Sequence, residues 1–159
     1  MPAPPAVEED GSLAYYDPVR DVVRIPRPER FERRVDYYAV LFHELAHSTA
    51  HKSRLHRAWA GRLEDREYGQ EELIAEMTAA FLCGQAGIFD QTLDHSATYL
   101  QCWLKNLHGD HRLLVTAAAQ AQKAADYILG RIPSRAPADA TMRTSGLQGQ
   151  GFTVVAASV

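Results

Sequence analysis

Apolar residues fall in short clustered runs before residue 26, then recur at intervals of three and four for most of the next hundred positions. The early segment LAYYDPVRDVVRIP predicts two short strands, over 13–16 and 21–25. Asp17-Pro18 lies in the turn between them, and Pro26 and Pro28 close the second. From about 33 to 50, Val35, Tyr38, Leu41, Phe42, Leu45 and Ala46 repeat with helical period and predict an amphipathic helix. A polar loop over 52–69 follows. A second helix is expected over about 70–83, turning Leu73, Ile74, Met77, Ala80 and Phe81 inward and stopping at Gly84 or Gly87. Leu93, Ala97, Leu100, Leu104 and Leu107 mark a third helix capped by Asp94. An alanine-rich fourth runs from 110 or 111 to Leu129, with Gly130 as its end. The proline-rich, acidic stretch 1–12 reads as a disordered lead, and 132–159 as a flexible C-terminal tail. The pattern predicts an α+β fold: an N-terminal β-hairpin followed by four helices, in one domain over 13–131.

Composition narrows the class without naming a partner. A chain of 159 residues, 46% hydrophobic, has material for one core. Its net charge of −3 demands neither nucleic acid nor a membrane. Eleven of the 17 Lys and Arg lie between Arg20 and Arg66 against seven acids, a mild basic bias that suits a solvated surface. Arg27, Arg30, Arg33 and Arg34 are the residues in it that could meet phosphate. No apolar run approaches the ~18–20 residues of a membrane span. Two cysteines, Cys83 and Cys102, stand far apart, and the N-terminus has no export pattern, so a cytoplasmic protein with buried thiols is expected.

The first predicted helix carries LFHELAHSTAH, residues 41–51. Residues four apart on a helix lie ~6 Å along its axis and ~40° around it, so His43 and His47 can converge on one ion. Glu44, ~100° further round, can reach a water held there without coordinating the metal. Zinc with three protein ligands keeps an open position for that water and lowers its pKa to about 7. Glu44 would then move the proton to a leaving amine. His51 is excluded as a ligand, because continued helix puts it ~12 Å along the axis from His43. Ala50 and Ser53 stand where a metzincin needs glycine and histidine. The third ligand is therefore expected from the next helix, which opens Glu71-Glu72-Leu-Ile-Ala-Glu76. Acids at a helix head also suit its dipole. The order resembles the ligand helix of gluzincins, which implies Glu72 as ligand and Glu76 as the acid orienting an imidazole; the reverse assignment stays open.

Three blocks carry a closer resemblance: YYAVLFHELAHSTAHKSRL, EELIAEMTAAFLCGQAGI and HSATYLQCWLKNLHGDHRLLVTAAAQAQKAADYILG. Together with AYYDPVRDVVRIPRPERF upstream, they resemble the zincin-like domain of ArdC-type antirestriction proteins, the polyvalent-protein metallopeptidases, over about residues 14–130. The resemblance implies a gluzincin-type fold and a zinc metallopeptidase holding one zinc per chain, with another divalent metal as the alternative. It makes His43 and His47 metal ligands, Glu44 the catalytic acid/base, and the Glu71–Glu76 segment the source of the third ligand. His95 and Tyr99 fall in the family's His-x-x-x-Tyr block and become candidates for stabilising an oxyanion. The implied partner is a protein or peptide substrate, such as a host defence protein. ArdC-type proteins also carry an N-terminal domain that binds single-stranded DNA. Only about twelve residues precede the hairpin here, so the chain is expected to represent the metallopeptidase domain alone, with weak DNA binding at most. The competing expectation is a non-catalytic DNA-associated module with a structural or vestigial metal site.

Overall fold

The computed structural model describes residues 1–57, 66–92 and 111–131. Three strands, β1 (Ala6–Glu9), β2 (Tyr15–Asp17) and β3 (Val22–Ile25), form one sheet in the order β1-β3-β2. The predicted hairpin is β2–β3, antiparallel, with Tyr16 opposite Val23. Asp17 builds its turn: Oδ1 accepts the backbone N–H groups of Val19 and Arg20 at 2.9 and 3.1 Å.

The lead expected to be disordered instead supplies β1, which pairs in parallel with β3, Ala6 opposite Val22. Composition misjudged it because distant side chains hold it. Tyr37 donates to the Glu9 carboxylate at 2.6 Å, Arg30 to the Gly11 carbonyl at 2.8 Å, and Arg54 to the Ala3 carbonyl at 2.9 Å. Glu8 pairs with Arg24 across the sheet at 2.9 Å.

Helix α1 (Arg34–Ser48) follows a 3-10 turn over Pro28–Arg30 and touches β2, β3 and the later helices. Its most buried residues are Tyr37, Glu44, Ala46, His47 and Ser48. Of the apolar stripe expected inward, only Ala46 is fully buried; Tyr38 is exposed, and Val35, Leu41, Phe42 and Leu45 are half-buried. The periodicity identified the helix, but the face pressed between sheet and α2 is the one bearing the motif.

Helix α2 (Arg66–Gln85) starts a full turn earlier than expected. Gly69, the last residue of the expected loop, lies buried inside it. A helical glycine costs only about 1 kcal/mol, which packing offsets. The acids at 71, 72 and 76 therefore sit beyond the first turn, where the helix dipole does not explain them. Leu73 and Ile74 point inward as expected, whereas Phe81 is exposed. The helix ends at Gly87, φ +71°, where Ile88 N–H returns to the Cys83 carbonyl at 3.0 Å. Cys83 is a buried free thiol, as expected.

Residues 89–92 are helical (α3), earlier than the Asp94 cap foreseen; the rest of the predicted third helix, with His95, Tyr99 and Cys102, lies outside the described residues, as does the tail 132–159. Helix α4 (His111–Ile128) packs on α2. Leu73 and Ile74 meet Ala117 and Ala121, flanked by Met77, Leu113 and Leu114. The alanines permit a close approach, and Thr78 Oγ1, bonded to the Ile74 carbonyl, reaches the Ala121 carbonyl across the seam at 3.4 Å. Gly130, φ +73°, ends α4 as predicted. Among the described residues no helix is long and apolar enough to cross a membrane.

Candidate metal centre

Two helices bring the predicted residues together. His43 and His47 project from α1, and Glu72 and Glu76 from α2. His43, His47 and Glu72 each offer one donor atom, all within 4.8 Å of one another. The separations are 3.0 Å between the two Nε2 atoms, 3.4 Å from His43 Nε2 to Glu72 Oε2, and 3.4 Å from His47 Nε2 to Glu72 Oε1. Four-coordinate zinc with ligand bonds of ~2.0–2.1 Å spaces its ligand atoms by roughly 3.3 Å. Two imidazoles and a carboxylate at that spacing fit a divalent cation, in donor type and in geometry.

Glu76 sits elsewhere on the same ring. Its Oε1 lies 3.2 Å from His43 Nδ1, the nitrogen facing away from His47 and Glu72. Glu76, expected among the metal residues, thus takes the orienting position, and Glu72 the converging one. His47 has a counterpart that sequence reasoning missed: Glu71 Oε1 is 3.5 Å from His47 Nδ1, an electrostatic contact longer than a formed hydrogen bond. Each imidazole therefore has a carboxylate behind it, the arrangement that fixes tautomer and ring direction at metal sites. Adjacency to Glu72 was the available signal. Arg57, which grips Glu71 with Nε–Oε2 at 3.0 Å and Nη2–Oε1 at 2.6 Å, gave none.

Charge balance follows from that packing. Burial would lower the His43 pKa, but hydrogen bonds to Glu72 and Glu76 outweigh it and push it up to about 10. His47 is raised likewise, by Glu71 and Glu72 against its burial. Glu72 is pulled well below the usual carboxylate range by the two imidazoles, again against burial. Glu44 moves the other way: burial dominates and raises it, although His43 and His47 pull it down. It is 7% exposed and takes a hydrogen bond from the Tyr16 backbone of β2. A buried carboxyl with raised proton affinity suits a group that must accept a proton near neutrality.

His51 lies in the turn after α1, its Nδ1 2.7 Å from Ser53 Oγ, outside the donor set. Beside His43 and Glu76 opens a cavity of about 370 Å³ walled by Phe31, Ala39, Val40 and Ala79. The four arginines proposed for phosphate are exposed, but three serve the chain itself. Arg27 and Arg30 hold the Glu9 and Gly11 carbonyls, and Arg33 holds Asp36 and the Gln91 carbonyl.

An α+β domain with HELAH on one helix and a converging glutamate on the next defines a zincin, and the chain belongs to the zincin-like metallopeptidase family MPTase-PolyVal, whose pattern matches residues 4–120. Its solved relatives include the antirestriction protein ArdC of plasmid R388. The Mn(II)-bound structure of that protein is 41% identical, with a TM-score of 0.65 over 79% of this chain and 47% of ArdC. Protein y4eC of Sinorhizobium fredii (strain NBRC 101917 / NGR234) is 37% identical over 122 residues, 77% of this chain and 40% of its own length. DNA primase TraC of Escherichia coli is 37% identical over 116 residues, 73% of this chain and 11% of its own. The chain thus spans less than half of each of these relatives. The ArdC-type resemblance and the zincin-like α+β fold are both borne out.

Proposed function

We propose that this chain is the zinc-dependent peptidase domain of an ArdC-type antirestriction protein, hydrolysing an amide bond in a protein or peptide substrate such as a host defence protein. One observation carries the reading: His43, His47 and Glu72 converge at the spacing of a tetrahedral metal, with buried Glu44 alongside. A divalent metal bound there supplies Lewis acidity to the reacting oxygens. The Mn(II) of the ArdC structure supports a divalent ion; zinc is preferred for its fit to two imidazoles and one carboxylate. Glu76 and Glu71 hold the two rings in register. Glu44 takes the proton of the attacking water and passes it to the departing nitrogen. The cavity beside His43, where Phe31, Ala39, Val40 and Ala79 meet Arg30, Glu32 and Asp36, receives a substrate side chain, and β2, with β3 on one side only among the described residues, presents backbone next to Glu44.

The test is cleavage of a mixed peptide library by the zinc-loaded protein and by Glu44→Gln. Hydrolysis by the first alone, with equal metal content in both, supports the reading. A fully loaded protein that cuts nothing would leave the second reading, a DNA-associated module with a vestigial metal site. That reading draws on the exposed Arg27, Arg30, Arg33 and Arg34, and on the relationship to a DNA primase. It requires salt-sensitive DNA affinity that weakens when those arginines are replaced.

A further inference from the structure

We infer that Arg57 is a positioning residue for the metal centre: its guanidinium locks α1 to α2 at the level of His47 and Glu72 and sets the plane of the Glu71 carboxylate behind His47. The inference rests on the reading of His43, His47 and Glu72 as metal ligands. Arg57 lies beyond the end of α1 and folds back over it. Its Nη1 donates to Thr49 Oγ1 at 2.6 Å, and its Nη2 to the Ala46 carbonyl in the last turn of α1 at 3.0 Å. The same group makes two further bonds to Glu71 on α2, Nε to Oε2 at 3.0 Å and Nη2 to Oε1 at 2.6 Å. One planar group thus spans both helices with four hydrogen bonds.

Three features separate this from an ordinary ion pair. The Arg57 and Glu71 side chains are 8% and 6% exposed, and burying such a pair brings a desolvation cost that makes it a poor stabiliser. The pair also sits where two helices must hold three donor atoms at 3.0–3.4 Å, a task that tolerates errors of only about 0.5 Å. Finally, the carboxylate oxygen that Arg57 grips most closely, Glu71 Oε1, is the one facing His47 Nδ1. Fixing that oxygen places a carboxylate charge 3.5 Å behind the ring. A lysine, with one nitrogen on a flexible stem, cannot reproduce a two-point grip on Glu71 together with two bonds to α1.

The experiment titrates the whole chain with cobalt(II), as a spectroscopic probe, and with zinc against a chelator, comparing wild type with Arg57→Met, Arg57→Lys and Glu71→Gln. Loss of such a supporting partner typically weakens metal affinity 10–100-fold. Arg57→Met is expected in that range, with an altered cobalt ligand-field spectrum. Arg57→Lys should recover only part of the loss. Glu71→Gln should weaken binding about 10-fold and, combined with Arg57→Met, give less than the product of the single effects. If Arg57→Met does not fold, Glu71→Gln and Arg57→Lys carry the test. Wild-type affinity and an unchanged spectrum in the folded variants would overturn the inference while leaving the metal site intact. A wild-type chain that takes up neither ion would overturn both.

Discussion

Replacing Arg54 by methionine is expected to destabilise the metal-free protein by about 3 kcal/mol. Arg54, from the turn after α1, is among the most buried side chains of the fold, at 1% exposed. It donates to both oxygens of Asp21 at 2.8 Å each, to the Ser48 carbonyl at 2.9 Å and to the Ala3 carbonyl at 2.9 Å. It thereby joins the N-terminal segment, the end of the hairpin turn and the C-terminus of α1. Methionine keeps much of the stem and removes every donor. The Ser48 carbonyl keeps the His51 N–H at 3.1 Å but loses its second donor, and the Ala3 carbonyl loses this one, at roughly 0.5–1.5 kcal/mol each. The charge-assisted bonds to Asp21 add roughly 1.5–3 kcal/mol, discounted because that carboxylate is a third exposed and can rehydrate. Relief of the buried guanidinium's own desolvation offsets part of the sum. For a domain of this size, ~3 kcal/mol lowers Tm by roughly 10 °C. The assay is thermal and urea unfolding followed by circular dichroism with chelator present, so that metal linkage does not enter. A loss below 1 kcal/mol would refute the argument, since it would mean that the four bonds do not bear on the folded state.

The same cluster sets a pH dependence. Burial raises the Asp21 pKa, but hydrogen bonds from Arg54 and Tyr16 outweigh it and hold the group below the usual carboxylate range. A depressed folded value contributes stability that is present above the unfolded pKa, ~3.9, and is lost as pH falls through the folded one. Asp21→Asn should therefore flatten the acid limb of urea midpoints below pH 4, and an unchanged slope would count against it. At the metal site, Glu72→Ala should cost far more metal affinity than Glu76→Ala, which is expected to lose 10–100-fold; competition against a chelator reads the order, and a reversal would exchange the two roles. Because His43 holds its proton up to about pH 10 without metal, zinc uptake at pH 7 should release at least one proton and tighten as pH rises. Calorimetry in two buffers of different ionisation heat measures this, and a buffer-independent heat would mean that His43 is already neutral at pH 7 without metal.

What the sequence disclosed was mainly local. The hairpin, α1 and its HELAH motif, and the glycine-ended α2 and α4 follow from periodicity and turn chemistry within a few residues. The exclusion of His51 followed from helix geometry alone, and the structure leaves it with Ser53. What escaped was long-range. Strand β1 looked like a disordered lead because its order depends on Tyr37, Arg30 and Arg54, up to 51 residues away. Ending the loop at Gly69 hid the first turn of α2, and so left the helix dipole as a competing account of Glu71, Glu72 and Glu76. Arg57 has no spacing relation to any motif; only the folded chain brings it to Glu71 and the end of α1.

The most direct test of the account is metal content. After equilibrium dialysis against zinc and removal of free ion, elemental analysis should find about one zinc per chain in the wild type and in Glu44→Gln, and essentially none in His43→Ala. A wild-type chain without metal, or a His43→Ala chain that keeps its full complement, would contradict the claim that His43, His47 and Glu72 form a metal centre.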